Sequence, residues 1–92
     1  MNKTKFIAEL AERTGRPVTE THKFVEEFFA LVTEVLAREE DVAFLGFGRF
    51  YIRKQSARPV RNPKTGAPFI LDERTTVRFR VGKYLFETIN RK

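Results

Sequence analysis

The most informative stretch of the chain is residues 46–66, which read GFGRFYIRKQSARPVRNPKTG. It opens with Gly46-Phe47-Gly48, a pattern that indicates a tight turn around a buried aromatic ring. Apolar and charged residues then alternate over residues 49–53, as they do in a strand with one apolar and one polar face. A basic segment follows, and the Asn-Pro-Lys-Thr-Gly of residues 62–66 is typical of a turn. We therefore expect a strand that leads outward to this turn.

A second alternating segment lies beyond the turn. Over residues 76–81, Val77, Phe79 and Val81 fall on one side of the predicted strand, and Arg78 and Arg80 fall on the other. The connection between the two strands, about residues 54–75, is 22 residues long and has little apolar bulk. Long connections of this kind are uncommon in compact domains and are usually functional or disordered. We interpret this connection as a protruding β-hairpin arm with a strand on each side of the turn.

The first part of the chain is predicted to form a helical hairpin. Asn2 is a good N-cap and Gly15 a good stop signal for a first helix with apolar residues on one face. A second helix is expected to start between Pro17 and Thr19 and to run to about Arg38. The short turn between the two helices indicates that they pack against each other in antiparallel orientation.

Together these elements predict one α+β domain over residues 1–92. It would consist of a two-helix N-terminal hairpin in a mainly helical part (residues 1–45), a three-stranded antiparallel sheet with the arm (residues 46–82) and a short C-terminal helix (residues 83–92). The first strand is expected over residues 42–45. Without the arm about 70 residues remain, near the limit for an independent core, yet they hold nine of the ten Phe. We therefore predict an obligate dimer in which residues 1–45 supply most of the contact.

The residue counts exclude several kinds of chemistry. The chain has no Cys and one His, which excludes disulfide scaffolds, Cys-ligated zinc, thiol nucleophiles and His-cluster metal sites. His22 is predicted to be solvated on the polar face of the second helix, and Gly46-Phe47-Gly48 lacks the spacing of a phosphate-binding loop. We expect no catalytic site, metal, cofactor or small-molecule substrate. No apolar run approaches the roughly 18 residues of a membrane span, and no signal peptide is evident, so we expect a soluble cytoplasmic protein with no membrane partner.

The charge of the chain is distributed unevenly. The formal net charge is +6. Residues 1–45 carry six basic and nine acidic side chains, whereas residues 46–71 carry six basic side chains and no acidic one. This distribution indicates a scaffold that presents a surface for a polyanion, and ordinary solvated charge is the alternative interpretation.

A twofold dimer would present two basic arms on the same side, as a clamp for a rod of negative charge. The expected phosphate contacts are Arg53, Arg78 and Arg80 on the polar strand faces and Arg58, Arg61 and Lys64 on the arm. A solvated sheet edge and a mobile loop that binds nothing are the alternatives. Pro63 at the arm tip is interpreted as a rigid apolar wedge that enters between base pairs from the minor groove, flanked by Arg61 and Asn62. Its alternative is ordinary turn chemistry.

Residues 46–50 and 61–66, Gly-Phe-Gly-Arg-Phe and Arg-Asn-Pro-Lys-Thr-Gly, together resemble the signature of the bacterial HU/integration host factor family of histone-like DNA-binding proteins. The resemblance covers the whole chain, from the Asn-Lys-Thr start to the closing Gly-Lys helix. It implies an intertwined homodimer, or a heterodimer with a related chain, whose arms wrap the minor groove of double-stranded DNA in the nucleoid. By this resemblance Arg61, Asn62 and Pro63 form the arm tip, Arg53, Arg58 and Arg80 line the DNA backbone, Lys3 and Lys83 hold flanking phosphates, and Phe47, Phe50 and Phe79 belong to the dimer core.

The chain departs from the family pattern at two places. Gln55 stands where relatives usually carry Arg, which would remove one phosphate contact from each subunit. Pro59-Val60 stands where a glycine commonly precedes Arg-Asn-Pro, which would stiffen the arm. Bend angle and sequence preference are the properties that these departures affect.

The main functional prediction is a histone-like architectural protein that binds duplex DNA largely without sequence specificity, bends it and compacts it, and that is not an enzyme. One alternative is a site-specific bender of the integration host factor type, which would read sequence through the deformability of DNA. Another is an RNA-binding or ribosome-associated module, although a minor-groove wedge fits A-form RNA poorly.

Overall fold

The computed structural model describes residues 1–91, and Lys92, which the predicted C-terminal helix included, lies outside the described residues. The elements in chain order are α1 (Lys3–Thr14), α2 (Val18–Ala37), β1 (Val42–Phe44), β2 (Gly48–Gln55), β3 (Arg58–Arg61), β4 (Pro68–Leu71), β5 (Arg74–Val81) and α3 (Lys83–Ile89). The predicted α+β class is confirmed, with the helical hairpin, the three-stranded antiparallel sheet, the arm and the closing helix in the expected order.

The helices begin and end at the signals found in the sequence. The Asn2 side chain accepts a hydrogen bond from the Lys5 backbone N–H at 2.9 Å, which satisfies one of the free donors at the start of α1. Gly15 adopts a left-handed conformation with φ of 70°, which lets the Arg16 N–H donate to the Ala11 carbonyl at 3.0 Å. Helix α2 begins one residue after Pro17, within the predicted range.

The sheet has the strand order β1-β2-β5, and both pairings are antiparallel. In the β2–β5 register Phe50 lies opposite Phe79 and Ile52 opposite Val77, so one face of the sheet is apolar. The ring of Phe50 contacts the ring of Phe44 on β1, which stacks on Phe28 of α2; the apolar face is therefore directed at the helices.

The arm is a separate two-stranded ladder of β3 and β4. Residues 56–57 and 72–73 interrupt the strands between the sheet and the arm. The radius of gyration is 19.1 Å and the longest dimension 58 Å, whereas a compact chain of this length has a radius of gyration of about 12 Å. The arm therefore projects from the body, as predicted.

A single chain buries few apolar side chains. Within residues 1–91 the buried side chains are Ile7, Ala11, Thr21 and Val25, where α1 packs on α2. Eight of the ten Phe are exposed and the other two are half-buried. The prediction of a buried ring between Gly46 and Gly48 is wrong for the single chain, because Phe47 lines an open groove and is 51% exposed.

Two glycines allow close approaches that hold the turn before β2 in place. A Cβ at Gly48 would lie 2.3 Å from the Phe79 ring and 2.8 Å from the Arg80 carbonyl oxygen. A Cβ at Gly82 would lie 2.7 Å from the carbonyl oxygen of Gly46, and the Gly82 N–H donates to the Phe47 carbonyl at 2.8 Å. The glycines thus bring β2, β5 and the start of α3 into contact.

Within residues 1–91, none of the helices has both the length and the apolar character needed to span a membrane.

Candidate nucleic-acid interface

The sheet face directed away from α2 carries a concentration of arginines. Cross-strand pairing places Arg49 opposite Arg80 and Tyr51 opposite Arg78. We call this surface the arginine face, and its members are Arg49, Arg53, Arg74, Arg78 and Arg80. Because like charges that lie directly opposite each other destabilise a sheet, a bound anion would relieve repulsion on this face.

Acidic neighbours neutralise only a small part of this charge. Arg49 donates a hydrogen bond to the Asp41 carboxylate, and the Ile52 backbone N–H donates to the same group at 3.2 Å. Both hydrogen bonds lower the pKa of Asp41, and the one from Arg49 has the larger effect. Of the cations predicted to bind DNA, seven are exposed and form no salt bridge within residues 1–91. They are Arg53, Arg58, Arg61, Lys64, Arg78, Arg80 and Lys83.

Lys3 differs from these seven cations. Its ammonium group forms an ion pair with Glu26 on α2 and lies 5.5 Å from the centre of the Phe29 ring. The hydrogen bond from Lys3 is the main cause of a lowered pKa at Glu26. A phosphate at Lys3 would therefore have to compete with Glu26. Lys83, the other flanking candidate, is exposed at the first residue of α3.

The arm tip is an ordered turn around Pro63. The Asn62 N–H donates to the Ala67 carbonyl at 2.9 Å, and the Gly66 N–H donates to the Asn62 carbonyl at 2.7 Å. The Asn62 side-chain oxygen accepts the Lys64 N–H at 2.9 Å. Gly66 has φ of 71°, a conformation that closes the turn. Pro63 is exposed between these hydrogen-bonded residues.

The register of the arm directs its cations to two sides. Arg58 lies opposite Leu71, Arg61 lies opposite Pro68, and the two arginines are three positions apart on β3. Since side chains alternate along a strand, Arg58 and Arg61 lie on opposite faces of the arm. Pro59 pairs with Ile70 within this ladder, so the Pro59-Val60 departure is accommodated as strand.

The three residues predicted for the dimer core lie together. The Phe79 ring centre is 4.9 Å from that of Phe50 and 5.9 Å from that of Phe47. Phe47 and Phe50 also line an apolar groove of about 570 Å³. The remaining lining residues are Phe6, Leu10, Phe24, Val25, Phe28, Phe29 and Phe44. We call this surface the phenylalanine groove.

Two members of the arginine face were not among the predicted DNA-binding residues. Arg49 lies an even number of positions from Arg53 on β2, and Arg74 lies an even number of positions from Arg78 and Arg80 on β5, so each lies on the same face of the sheet as these arginines. The alternation of the strands was a signal that could have identified both residues. It was missed at Arg74 because β5 begins at Arg74, two residues before the predicted start of the strand.

Three comparisons with known proteins agree with this fold and surface. Residues 1–90 match the family model described as bacterial DNA-binding protein. The chain is similar to DNA-binding protein HU-beta 2 of Neisseria meningitidis, with 37% identity over 98% of this chain and 99% of the relative. It is also similar to integration host factor subunit alpha of Xylella fastidiosa, with 34% identity over 98% of this chain and 91% of the relative. The structure resembles an Anabaena HU–DNA cocrystal structure with a TM-score of 0.88, 25% identity and full coverage of both chains.

The chain belongs to the bacterial DNA-binding protein family that includes HU and integration host factor. Membership confirms the resemblance seen in the sequence. It also confirms the prediction of an architectural double-stranded DNA-binding protein that is not an enzyme. The roles of individual residues and the domain boundaries stay predictions.

Proposed function

We propose that two copies of the chain form a dimer that holds duplex DNA on its arginine faces and between its two arms, and that it bends and compacts the DNA with little sequence preference. The observation that carries the proposal is the set of seven exposed cations without an acidic partner within residues 1–91. They lie on the arginine face, on the arm and at the start of α3. Such a set favours a partner with many regularly spaced negative charges.

The phenylalanine groove supports the dimer. Within residues 1–91 one chain leaves eight Phe exposed, and its buried apolar side chains are Ile7, Ala11 and Val25. Clustered exposed apolar side chains of this kind mark protein–protein contact sites. A second copy offers the same aromatic surface, as a twofold interface requires. We propose that Phe47, Phe50 and Phe79 become buried in this interface.

Two copies would carry a charge of +12, concentrated on the DNA side. Arg53, Arg78 and Arg80 would contact phosphates on the floor between the arms. Arg58, Arg61 and Lys64 would contact phosphates and groove edges along the arms, and Lys3 and Lys83 would contact phosphates on the flanks. Because phosphate contacts carry no sequence information, this arrangement favours low sequence preference.

The geometry of the arm tip supports a wedge. Minor-groove architectural proteins, HU among them, insert apolar side chains between base steps, and the bend offsets an unstacking cost of a few kcal/mol. Pro63 is exposed at the apex and is held by the hydrogen bonds of Asn62 and Gly66. The Asn62 side-chain oxygen is engaged within the turn, so its NH₂ group is the part that can donate to acceptors in the minor groove. All base pairs present such acceptors.

This mode of binding fits a protein associated with the bacterial nucleoid in the cytoplasm. The dimer is tested by sedimentation equilibrium of the free protein. We expect a mass of about twice the chain mass of 10.8 kDa. A mass near that of a single chain at micromolar concentration would contradict the dimer.

The sequence preference is tested by competition among unrelated duplexes for a labelled one. We expect affinities to differ by no more than about tenfold, whereas sequence-specific proteins discriminate by about a thousandfold or more. A large preference for one duplex would favour a site-specific bender instead. A-form duplex RNA is expected to compete poorly, and equal competition by RNA would contradict minor-groove insertion.

A further inference from the structure

The strongest unassigned feature is a hydrogen-bonded pair at the root of the arm. Gln55 is the last residue of β2 and Arg74 is the first residue of β5, and the two lie opposite each other in the register. The Arg74 Nε–H donates to the Gln55 side-chain oxygen at 3.3 Å. Beyond this pair the ladder is interrupted, and pairing resumes in the arm at Arg58 and Leu71. The pair is therefore the last side-chain link before the arm.

The chemistry of the pair favours an anion at Arg74. Asp72 and Glu73 directly precede Arg74, but neither forms a salt bridge with it within residues 1–91. A neutral amide takes the place of a carboxylate, so the full charge of the guanidinium is retained. A guanidinium has five N–H donors, and the bond to Gln55 uses only the one on Nε. The two terminal nitrogens remain available for two parallel hydrogen bonds to a phosphate.

The position of the pair also suits DNA. Arg74 lies on the arginine face, diagonally across the strands from Arg53, which pairs with Thr76. Diagonal neighbours of this kind are about 7–8 Å apart. Arg74 thus continues the row of cations from the sheet to the arm, where a duplex held by both would pass.

We propose that Arg74 holds a DNA phosphate at the root of each arm and that Gln55 is the positioning residue that orients its guanidinium. This inference rests on the proposed function, because it requires that the arginine face contacts the DNA backbone. It adds one phosphate contact per chain and assigns a role to the residue opposite that contact.

The inference is tested with the full-length protein and one labelled duplex, with dissociation constants measured over a range of salt concentrations. Arg74→Ala is expected to reduce the slope of log affinity against log salt by about 0.9 per bound chain. Over a fourfold rise in salt, the wild type should then lose about 3.5-fold more affinity per chain than this variant. Arg74→Lys keeps the charge and is expected to keep most of the slope. Arg16→Ala is the control, since it removes a cation in the turn between α1 and α2, where Arg16 is paired with Glu20 at 2.9 Å.

The role of Gln55 is tested by a double-mutant cycle. Gln55→Ala is expected to weaken binding about threefold when Arg74 is present and to have no effect on the Arg74→Ala protein. A purely structural role would shift the unfolding temperature of the free protein and would weaken binding equally in both backgrounds. An unchanged salt slope in Arg74→Ala would overturn the phosphate contact. Absence of salt-dependent duplex binding by the wild type would instead overturn the proposed function itself.

Discussion

Removal of two arginines from the arginine face gives a quantitative test of phosphate contact. Arg78 and Arg80 are exposed on β5, share one face and have no carboxylate partner within residues 1–91. Replacing both with Gln removes the charges but keeps most of each aliphatic stem. A dimer loses four cations, so the slope of log affinity against log salt should become shallower by about 3.6. Between about 50 and 200 mM salt, the wild type should lose about 150-fold more affinity than the variant.

The assay is fluorescence anisotropy of a labelled duplex, titrated with protein at several salt concentrations. The matched control is Arg13→Gln with Arg16→Gln, which changes the net charge of the chain from +6 to +4, as the double variant on β5 does. Long-range attraction is therefore reduced equally in the two proteins. Because all four positions are exposed, we expect each substitution to change the free energy of unfolding by no more than about 0.5 kcal/mol.

Two results would refute the reasoning. The first is an unchanged slope in the β5 variant, which would mean that Arg78 and Arg80 do not contact phosphates. The second is an equal decrease in the control, which would mean that net charge, and not the arginine face, determines the salt dependence.

Three further predictions concern the body of the protein. Gly48→Ala should destabilise the fold by about 1–3 kcal/mol in urea unfolding, because the new methyl group would overlap the Phe79 ring; unchanged stability would contradict the close approach. Phe47→Ser should raise the dimer dissociation constant about tenfold or more in sedimentation, because the half of each Phe47 ring that is exposed on the single chain would no longer be buried in the interface. An unchanged dissociation constant would place Phe47 outside the interface. Because the pKa of Asp41 is lowered in the folded state, its carboxylate stabilises the fold fully at pH values above its usual pKa near 3.8. This contribution is lost as the pH falls through the lower pKa that Asp41 has in the folded state. Asp41→Asn should therefore lose stability relative to wild type at pH 7 and approach wild type in strong acid, and a pH-independent difference in urea unfolding would contradict the pairing with Arg49.

The features of the fold that depend on local chemistry could be predicted from the sequence. Asn2 and Gly15 fixed the ends of α1 because capping involves only neighbouring residues. The alternation around Arg78 and Phe79 predicted the two faces of β5, and the turn residues near Pro63 predicted the arm tip. Each of these signals lies within a few positions along the chain.

Contacts between distant residues could not be predicted in the same way. The pair of Gln55 and Arg74 spans 19 residues and depends on the register of two strands. The ion pair that engages Lys3 depends on how α1 packs on α2. The Gly46-Phe47-Gly48 pattern predicted a buried ring but did not show that a single chain leaves half of Phe47 exposed, because a local pattern does not identify which surface covers a side chain.

The most direct test of the proposed mechanism is resonance energy transfer between dyes at the two ends of a duplex of about 30 base pairs, a length well below the persistence length of about 150 base pairs. We predict a saturable rise in transfer on addition of protein, weaker at higher salt, and a smaller rise at saturation with Pro63→Ala. Saturable binding without any rise in transfer would contradict bending, and an unchanged rise with Pro63→Ala would contradict the wedge.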